Sequence, residues 1–547
     1  MKKHNQLFSQ SIYSFTWILN LLALIVVFGS LNTYMIEVYF NSDALFLPSF
    51  FKDIFVDGTG FKGWNMNGAP NFFPDILLYS VINSVFPNFK IANLIFSSCQ
   101  YMIILAGLNF LLKAVIPGIS KWTLILINVL FPLYILVAVV DQDFYFAYQV
   151  ISMAYHAGSV VTILYSAAFL FSYLNKQSRW SFYGLIIMSF LGAFNDRIFI
   201  STFAAPMFVI LLLEITWIKY KPLRVATIAT SLSSAVAFAL FSYLKVNNPY
   251  YKIIGLHERF LNFKNAISSL ETFSEQHWNL LKAFELRSFI VAITFISLII
   301  SIFLSIRYLI KAKKISTFSP SQKTTTTFIV FTAGALFLNI FAPIINGNYL
   351  GIACLRYATF TYLFSFAVIV FFIHYFAKKS TILIKYISSA FLILLVSILI
   401  SGFIKYEIKN TIVRIANYYP EEVQLVDEYA KENNLKYGVA NWWNAKVTTM
   451  FSHQDLRVYT AINDKLNLWY HATNENLYHD YDKGKYQNPV FNFVILTKME
   501  PKVIKKHFGQ PLDSLMHDGE PLVYILNEFK YNRETRQPYF IKEKTDH

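Results

Sequence analysis

The chain has 547 residues, of which 55% are hydrophobic and 14% charged. Soluble domains carry about 25% charged residues, so this composition excludes an ordinary soluble protein and indicates a polytopic membrane protein. The formal net charge is +15, yet residues 406–547 contain 18 Lys and Arg against 19 Asp and Glu, so the basic excess lies in the apolar part. That placement fits the positive-inside rule and argues against a nucleic-acid partner.

Eleven apolar runs predict about eleven membrane-spanning helices. The connecting loops alternate between basic and acidic character, and the basic set indicates the cytoplasmic side. With the N-terminus inside, an odd number of spans places residues 406–547 outside. The chain has no N-glycosylation sequon, which favours a bacterial inner membrane over a secretory-pathway membrane. The runs are 14–34, 91–112, 122–140, 158–174, 181–194, 198–218, 224–244, 287–309, 327–345, 357–376 and 382–404.

The connection between the first two runs, about residues 35–90, is long, acidic and aromatic. Long loops in ordered proteins are usually functional or disordered, and this one is too apolar to be disordered. We expect a folded external loop with two short amphipathic helices, Ala44–Phe55 and Pro74–Val85. Asp43 opens the first helix and Asp75 lies in the first turn of the second, where Asp is favoured as a cap. We favour a functional role for Asp43 and a capping role for Asp75.

The character of the chain changes at about residue 406, where alternating helices and strands predict a small external α/β domain. The domain contains no GxGxxG motif, P-loop or His/Cys metal cluster. The polar tail after Phe529 is expected to be poorly ordered. The predicted helices are Glu421–Asn433 and Lys502–His507, and the predicted strands are Tyr437–Ala440, Arg457–Thr460, Val490–Thr497 and Leu522–Leu526.

Polar residues gather at the predicted outer ends of the spans. Ionisable groups at membrane depth usually mark a site or a pathway, although each could simply be solvated in the headgroup layer. The Asp196–Arg197 pair lies in a very short hairpin, which favours a site, although the two charges could also neutralise each other. The outer-end residues are Asp43, Asp141, Asp143, His156, Asn195, Asp196, Arg197, Asn346, Asn348 and Arg356.

Three short motifs carry a resemblance to a known family: NSDALFLP with Asp43, FNDRIFISTFAAP with Asp196, and CLRYATF with Arg356. Together with the long first loop, the span count and the external domain, they resemble the GT-C superfamily of polyprenyl-phosphate-sugar-dependent glycosyltransferases. Protein O-mannosyltransferases and the lipid A aminoarabinose transferase belong to that superfamily. The resemblance covers residues 10–405 as architecture and makes residues 1–405 a GT-C-like module, followed by an external (periplasmic) domain at 406–547.

The resemblance implies that Asp43 is a catalytic base or a metal ligand and that Asp196 is a second acidic residue of the site. Many relatives have paired acidic residues in the first loop, whereas Ser42–Asp43–Ala44 offers one. The dependence on a divalent cofactor, Mg²⁺ or Mn²⁺, therefore stays open at this point.

The chemistry of such a transfer needs a base for the acceptor hydroxyl and a cation for the leaving lipid phosphate. Asp43 suits the first need, and Arg197 or Arg356 the second. His156, Asp141 and Asp143 are further candidate substrate contacts, and Trp64 would stack on a sugar or anchor the loop at the membrane interface.

The expected partners are a lipid-linked sugar donor, membrane lipids and a glycan, lipid or protein acceptor. Two other functions stay open at this point: a flippase or transporter of lipid-linked sugars, and a non-catalytic assembly protein for envelope polymers.

Overall fold

The computed structural model describes residues 2–153, 155–248, 251–253, 263–311, 317–377, 380–479 and 489–541. Across these ranges the chain forms nine helices that are long and apolar enough to cross a membrane. The prediction of a polytopic helical membrane protein is thereby confirmed. The nine helices are Leu7–Gly29, Phe89–Val115, Lys121–Val140, Ala157–Lys176, Lys221–Asn247, Leu286–Ile310, Pro320–Ile345, Ile352–Phe376 and Thr381–Lys405.

Two of the eleven predicted runs do not form helices of at least 18 residues, the length required of the nine helices above. The run 181–194 lies in the 17-residue helix Arg179–Asn195. The run 198–218 lies in a segment that begins at Arg197 and contains two π-helical turns, Ile200–Ala204 and Glu214–Ile218. The count of eleven spans therefore stays a prediction.

Polar side chains inside the bundle bond to one another between helices. Asn109 donates its amide to Asn128 Oδ1 at 2.7 Å, and Asn128 donates to Thr16 Oγ1 at 2.9 Å. Tyr101 donates its hydroxyl to Asn20 Oδ1 at 2.5 Å. Because lipid offers no alternative partner, such bonds fix how apolar helices are positioned against each other.

The first loop is folded, with helices close to the predicted positions. A helix spans Phe46–Phe51 and continues as a π-helical turn over Lys52–Val56, and a second helix spans Leu77–Val85 after a π-helical turn at Phe72–Ile76. The first helix is not amphipathic as predicted, because all six residues of Phe46–Phe51 are buried. The C-terminal region covers the face that was expected to be exposed.

The C-terminal region forms a mixed sheet with helices packed against it. The strands of the described residues are β1 (Trp64–Met66), β2 (Tyr251–Ile253), β3 (Tyr437–Ala440), β4 (Arg457–Thr460), β5 (Thr473–Asn474), β6 (Phe491–Ile495), β7 (Asp513–His517), β8 (Glu520–Tyr531) and β9 (Pro538–Phe540). The strands of the C-terminal sheet run in the order β4–β3–β6–β8–β7, with β9 paired to β8. In this sheet β3 is parallel to β4 and β6, and β8 is antiparallel to its neighbours. The remaining helices are Thr33–Tyr39, Phe144–Ile151, Arg197–Phe199, Ala205–Leu213, Phe263–Lys282, Ile408–Ala416, Glu421–Glu432, Trp442–Phe451 and Pro501–Phe508, with 3₁₀ turns at Ile352–Ala358 and Glu475–Tyr478.

All four predicted strands of this region are present, as β3, β4, β6 and part of β8, but the prediction for the tail is wrong. The chain continues in β8 to Tyr531 and returns as β9, whose Phe540 packs 5.9 Å from Phe508 between ring centroids. Antiparallel pairing satisfies the backbone groups that a disordered tail would leave to water. Residues 542–547 lie outside the described residues.

A second sheet joins the first loop to the C-terminal region. Its order is β2–β1–β5, so a strand of the first loop lies between a strand that follows the helix Lys221–Asn247 and a strand of the C-terminal region. The predicted boundary at residue 406 therefore separates two parts of the chain that share a sheet. This sharing brings C-terminal side chains to the acidic first loop.

Candidate functional site

Four of the predicted site residues, Asp43, His156, Asp196 and Arg356, lie in one polar network at a single end of the bundle. Each sits where a helix begins or ends, so the bundle itself brings them together. Asp43 precedes the helix Phe46–Phe51, His156 precedes Ala157–Lys176, Asp196 follows Arg179–Asn195, and Arg356 lies in the turn Ile352–Ala358.

The carboxylate of Asp43 is held by two donors and does not cap a helix. Its Oδ2 accepts a hydrogen bond from the Tyr155 hydroxyl at 3.1 Å, and its Oδ1 accepts one from Trp442 Nε1 at 3.2 Å. The helix begins at Phe46 without a side-chain cap. The geometry therefore removes the capping role and leaves Asp43, which is partly exposed, positioned by both the bundle and the C-terminal region.

The Tyr155 hydroxyl keeps its proton beside Asp43. Burial and the neighbouring Asp43 raise the pKa of Tyr155 to about 12, so the phenol is the donor in this pair. The Tyr155 ring packs 4.8 Å from the ring of Tyr148, whose hydroxyl accepts a hydrogen bond from Asn41 at 2.8 Å. These contacts fix the loop that carries Asp43.

The guanidinium of Arg356 lies against the rings of Tyr155 and Tyr357. Its Cζ is 5.6 Å from the centroid of the Tyr155 ring and 5.4 Å from that of Tyr357, both within the range of a cation–π contact. Its Nε is buried and has no hydrogen-bond partner among the described residues. A buried donor without a partner is costly, so Arg356 is available to an anion placed beside it.

His156 and Asp196 form the far end of the network. His156 Nδ1 lies 2.6 Å from Asp196 Oδ2, which also accepts a hydrogen bond from the Ser159 hydroxyl at 2.5 Å. The His156 ring lies 5.8 Å from that of Tyr357, which links it to Arg356. Burial raises the pKa of Asp196, but His156 and the hydrogen bonds outweigh it and hold that pKa below its usual value.

The Asp196–Arg197 pair does not form. Arg197 is exposed and makes no ion pair with Asp196, whose two oxygens accept from His156, Ser159 and the Ile198 amide. Adjacent residues at the start of a helix point in different directions, so sequence neighbours need not be partners. Of the two phosphate-binding candidates, Arg356 lies in the network and Arg197 does not.

Asp75 is buried beside this network, without a hydrogen-bond partner among the described residues. It is 1% exposed, and neither carboxylate oxygen has a hydrogen-bond partner within the described ranges, so it is not the helix cap that we predicted. A Cβ at Gly158 would lie 2.7 Å from Asp75 Oδ2, so only glycine admits the carboxylate there. Burial and the nearby Asp196 raise the pKa of Asp75 to about 7.

This position predicts a pH-dependent stability. Because the pKa of Asp75 is raised from 3.8 to about 7 by folding, its contribution is most favourable below pH 4 and is lost as the pH rises to 7. Asp75→Asn cannot ionise and should stabilise the protein by up to about 4 kcal/mol above pH 7, and hardly at all near pH 4. Thermal unfolding of both proteins across this range measures the difference, and a pH-independent difference would contradict the assignment.

Asp141 and Asp143 lie apart from Asp43 and bind Arg287. Asp141 Oδ2 accepts a hydrogen bond from the Arg287 amide at 3.0 Å, and Asp143 Oδ2 pairs with its guanidinium at 3.2 Å. Asp143 also caps the helix Phe144–Ile151 through the Tyr145 amide. In this arrangement they hold the start of the helix Leu286–Ile310, and the predicted substrate contact receives no support.

Trp64 belongs to the core and not to a binding surface. It is fully buried in β1, with ring centroids 6.2 Å from Phe46 and 4.9 Å from Phe50. It is therefore available neither for stacking on a sugar nor for anchoring in the membrane interface.

A second group of buried charges joins the first loop to the C-terminal region. Arg457 Nη1 lies 2.6 Å from Asp53 Oδ1 and 3.6 Å from Asp57 Oδ2, and Lys52 pairs with Asp57 at 2.7 Å. The adjoining cavity, which Lys446 also lines, has a volume of about 20 Å³. That volume admits about one water molecule and no sugar.

Among the described residues, the surroundings of Asp43 offer a divalent ion few oxygen ligands. Mg²⁺ and Mn²⁺ prefer six oxygen ligands, whereas both oxygens of Asp43 already accept hydrogen bonds and cationic Arg356 lies close by. No group of three or more His, Cys, Asp or Glu side chains in the described part of the chain is arranged to hold a metal. A divalent cofactor at Asp43 therefore stays a prediction.

Sequence reasoning missed several residues that surround Asp43, above all Tyr155 and Trp442. Trp442 is 399 residues away from Asp43 along the chain, and a single sequence carries no signal of such a contact. Tyr155 directly precedes His156, which the sequence did indicate as an outer-end residue. The sequence prediction therefore missed Tyr155 by one position.

Comparisons with known proteins do not assign the chain to a family. A scan against models of protein families finds no match, and a search of curated proteins finds none either.

Proposed function

We propose that this protein is a membrane glycosyltransferase that moves a sugar from a polyprenyl-phosphate donor to an acceptor outside the cytoplasmic membrane. The observation that supports it is that Asp43 and Arg356 both contact Tyr155, Asp43 at its hydroxyl and Arg356 at its ring, at the end of an apolar bundle. The base and the phosphate-binding cation that the reaction needs are thus both close to the membrane surface.

The reaction assigns a distinct role to each residue. Asp43 accepts the proton of the acceptor hydroxyl as its oxygen attacks the anomeric carbon. The bond from that carbon to the lipid phosphate breaks, and the phosphate leaves with the electron pair, so a single displacement inverts the configuration. Arg356 stabilises the charge that develops on the phosphate, while Tyr155 and Trp442 hold the carboxylate in place.

Transfer of label from a radiolabelled polyprenyl-phosphate sugar by the purified full-length protein tests the proposal. Label that reaches an acceptor supports it. Label that only crosses the bilayer of a proteoliposome shows a flippase, and label that does neither leaves the assembly function; both results would overturn the proposal.

Arg356→Ala is expected to weaken donor binding by about tenfold or more, because the variant loses a charged hydrogen-bond donor for the phosphate. Arg356→Lys should restore part of the affinity only, since an ammonium lacks the planar, bidentate geometry. Binding of a non-transferable polyprenyl phosphate to protein in nanodiscs measures both. Arg197→Ala is the matched control and should bind normally; unchanged binding by Arg356→Ala would remove Arg356 from the site.

The proposed reaction requires that the network lie outside the cytoplasm. The bundle end opposite the network carries basic residues such as Lys113, Lys176 and Lys221, which indicate the cytoplasmic side. A reporter that is active only in the cytoplasm, fused after residue 410, should therefore be silent. An active reporter at that position would reverse the orientation.

A further inference from the structure

Three aromatic side chains of the C-terminal region form a cluster beside Asp43. Trp442, whose indole N–H bonds to Asp43, has its ring centroid 5.4 Å from that of Trp469 and 4.9 Å from that of His471. The rings of Trp469 and His471 stack at 4.8 Å with their planes 15° apart. We call Trp442, Trp469 and His471 the aromatic cluster.

The stacked pair of this cluster, Trp469 and His471, is partly exposed and keeps its ring nitrogens without hydrogen-bond partners among the described residues. Burial and the charge of Lys446 lower the pKa of His471 to about 4, so its ring is neutral at neutral pH. A neutral imidazole has one donor and one acceptor nitrogen.

We propose that the aromatic cluster binds a pyranose ring of the acceptor, which makes the acceptor a carbohydrate. The inference rests on the proposed transferase function and names its second substrate class. A pyranose has an apolar face of C–H groups and an edge of hydroxyls. The cluster offers both complements, flat aromatic faces and polar ring edges.

The position of the cluster connects binding to chemistry. Trp442 contacts both the stacked pair and Asp43, so a ring bound against the cluster has a hydroxyl close to the base. A peptide acceptor is recognised mainly through main-chain hydrogen bonds and side-chain pockets. Flat rings whose three nitrogens have no hydrogen-bond partner among the described residues suit a sugar better than they suit a peptide backbone.

Saturation-transfer NMR of the full-length protein in nanodiscs tests the inference. The probes are the methyl glycosides of glucose, galactose, mannose and N-acetylglucosamine, with a Ser/Thr-containing hexapeptide as the competing class. We expect saturation of the ring protons of at least one glycoside, a loss of affinity of about fivefold in Trp469→Leu, and near-normal binding in Trp469→Phe. His471→Leu should lose affinity as well, which covers the case in which Trp469→Leu does not fold.

Trp443→Leu is the matched control. Trp443 follows Trp442 on the helix Trp442–Phe451 and is 45% exposed, and its ring is not part of the aromatic cluster. The inference is overturned if no glycoside binds, if the hexapeptide binds instead, or if the Trp469 and His471 variants bind as well as wild type. The assay needs neither donor nor turnover. A protein that transfers label without dependence on Trp469 overturns this inference alone, and one that binds the glycoside through Trp469 but transfers nothing overturns the proposed function alone.

Discussion

Asp43→Asn is expected to lower turnover by about 10²–10⁴-fold, the contribution of a general base, while the protein still folds and inserts. Asn keeps the local contacts, since its Oδ1 accepts from Trp442 Nε1 and its amide donates to the Tyr155 oxygen. What the variant loses is the charge that receives the acceptor proton. Label transfer from the lipid-linked donor, measured at saturating donor, gives the effect on turnover.

Asp141→Asn is the control for Asp43→Asn. Asp141 lies at the same end of the bundle but binds the Arg287 amide, so its loss should affect stability and leave turnover near that of wild type. An Asp43→Asn protein that transfers label at the wild-type rate would reduce the first loop to a scaffold. The search for a base would then move to Asp196.

Arg457→Met is expected to destabilise the protein by about 3–5 kcal/mol, because it removes the ion-pair partner of the buried Asp53 carboxylate, while Asp57 keeps Lys52. The pair joins the first loop to the C-terminal region, so the loss should also weaken the position of Trp442 over Asp43. Denaturant or thermal unfolding in nanodiscs measures the stability.

A second substitution separates charge from packing at Arg457. Adding Asp53→Asn to Arg457→Met removes one uncompensated charge and should recover part of the stability. Arg533→Met, at an exposed position of the same region, should stay within about 0.5 kcal/mol of wild type. Equal unfolding of wild type and Arg457→Met would show that water already solvates the Asp53 carboxylate.

Hydrophobic length and period by themselves determined the scaffold. Runs of spanning length became the nine long helices, and short β-branched or aromatic runs became β3, β4, β6 and part of β8. These signals are local, because a helix or a strand buries its own apolar residues whatever lies against it. The hairpin around Asp196 was less certain for the same reason, since its apolar runs are short or interrupted by π-helical turns.

For the candidate site too, the sequence indicates which residues lie at the span ends but not which residues they contact. The sequence indicated Asp43, His156, Asp196 and Arg356 because charged or titratable groups at span ends are few, and successive spans that alternate in direction bring those ends to one side. The same rule selects Asp141 and Asp143. In the structure, however, both carboxylates bind Arg287. Position at a span end selects a set of residues but not the partner of each.

Only the tertiary structure decided which of these residues act together. In the structure the helix Phe46–Phe51 and Trp64 are buried. Asp196 pairs with His156 and not with Arg197, and Trp442 bonds to Asp43. Each of these outcomes depends on contacts between segments that are far apart in the chain, and such contacts leave no periodic trace in a single sequence. The sequence by itself thus determined a helical membrane bundle with acidic residues gathered at the ends of its helices, and the packing of the C-terminal region onto the first loop determined what surrounds Asp43.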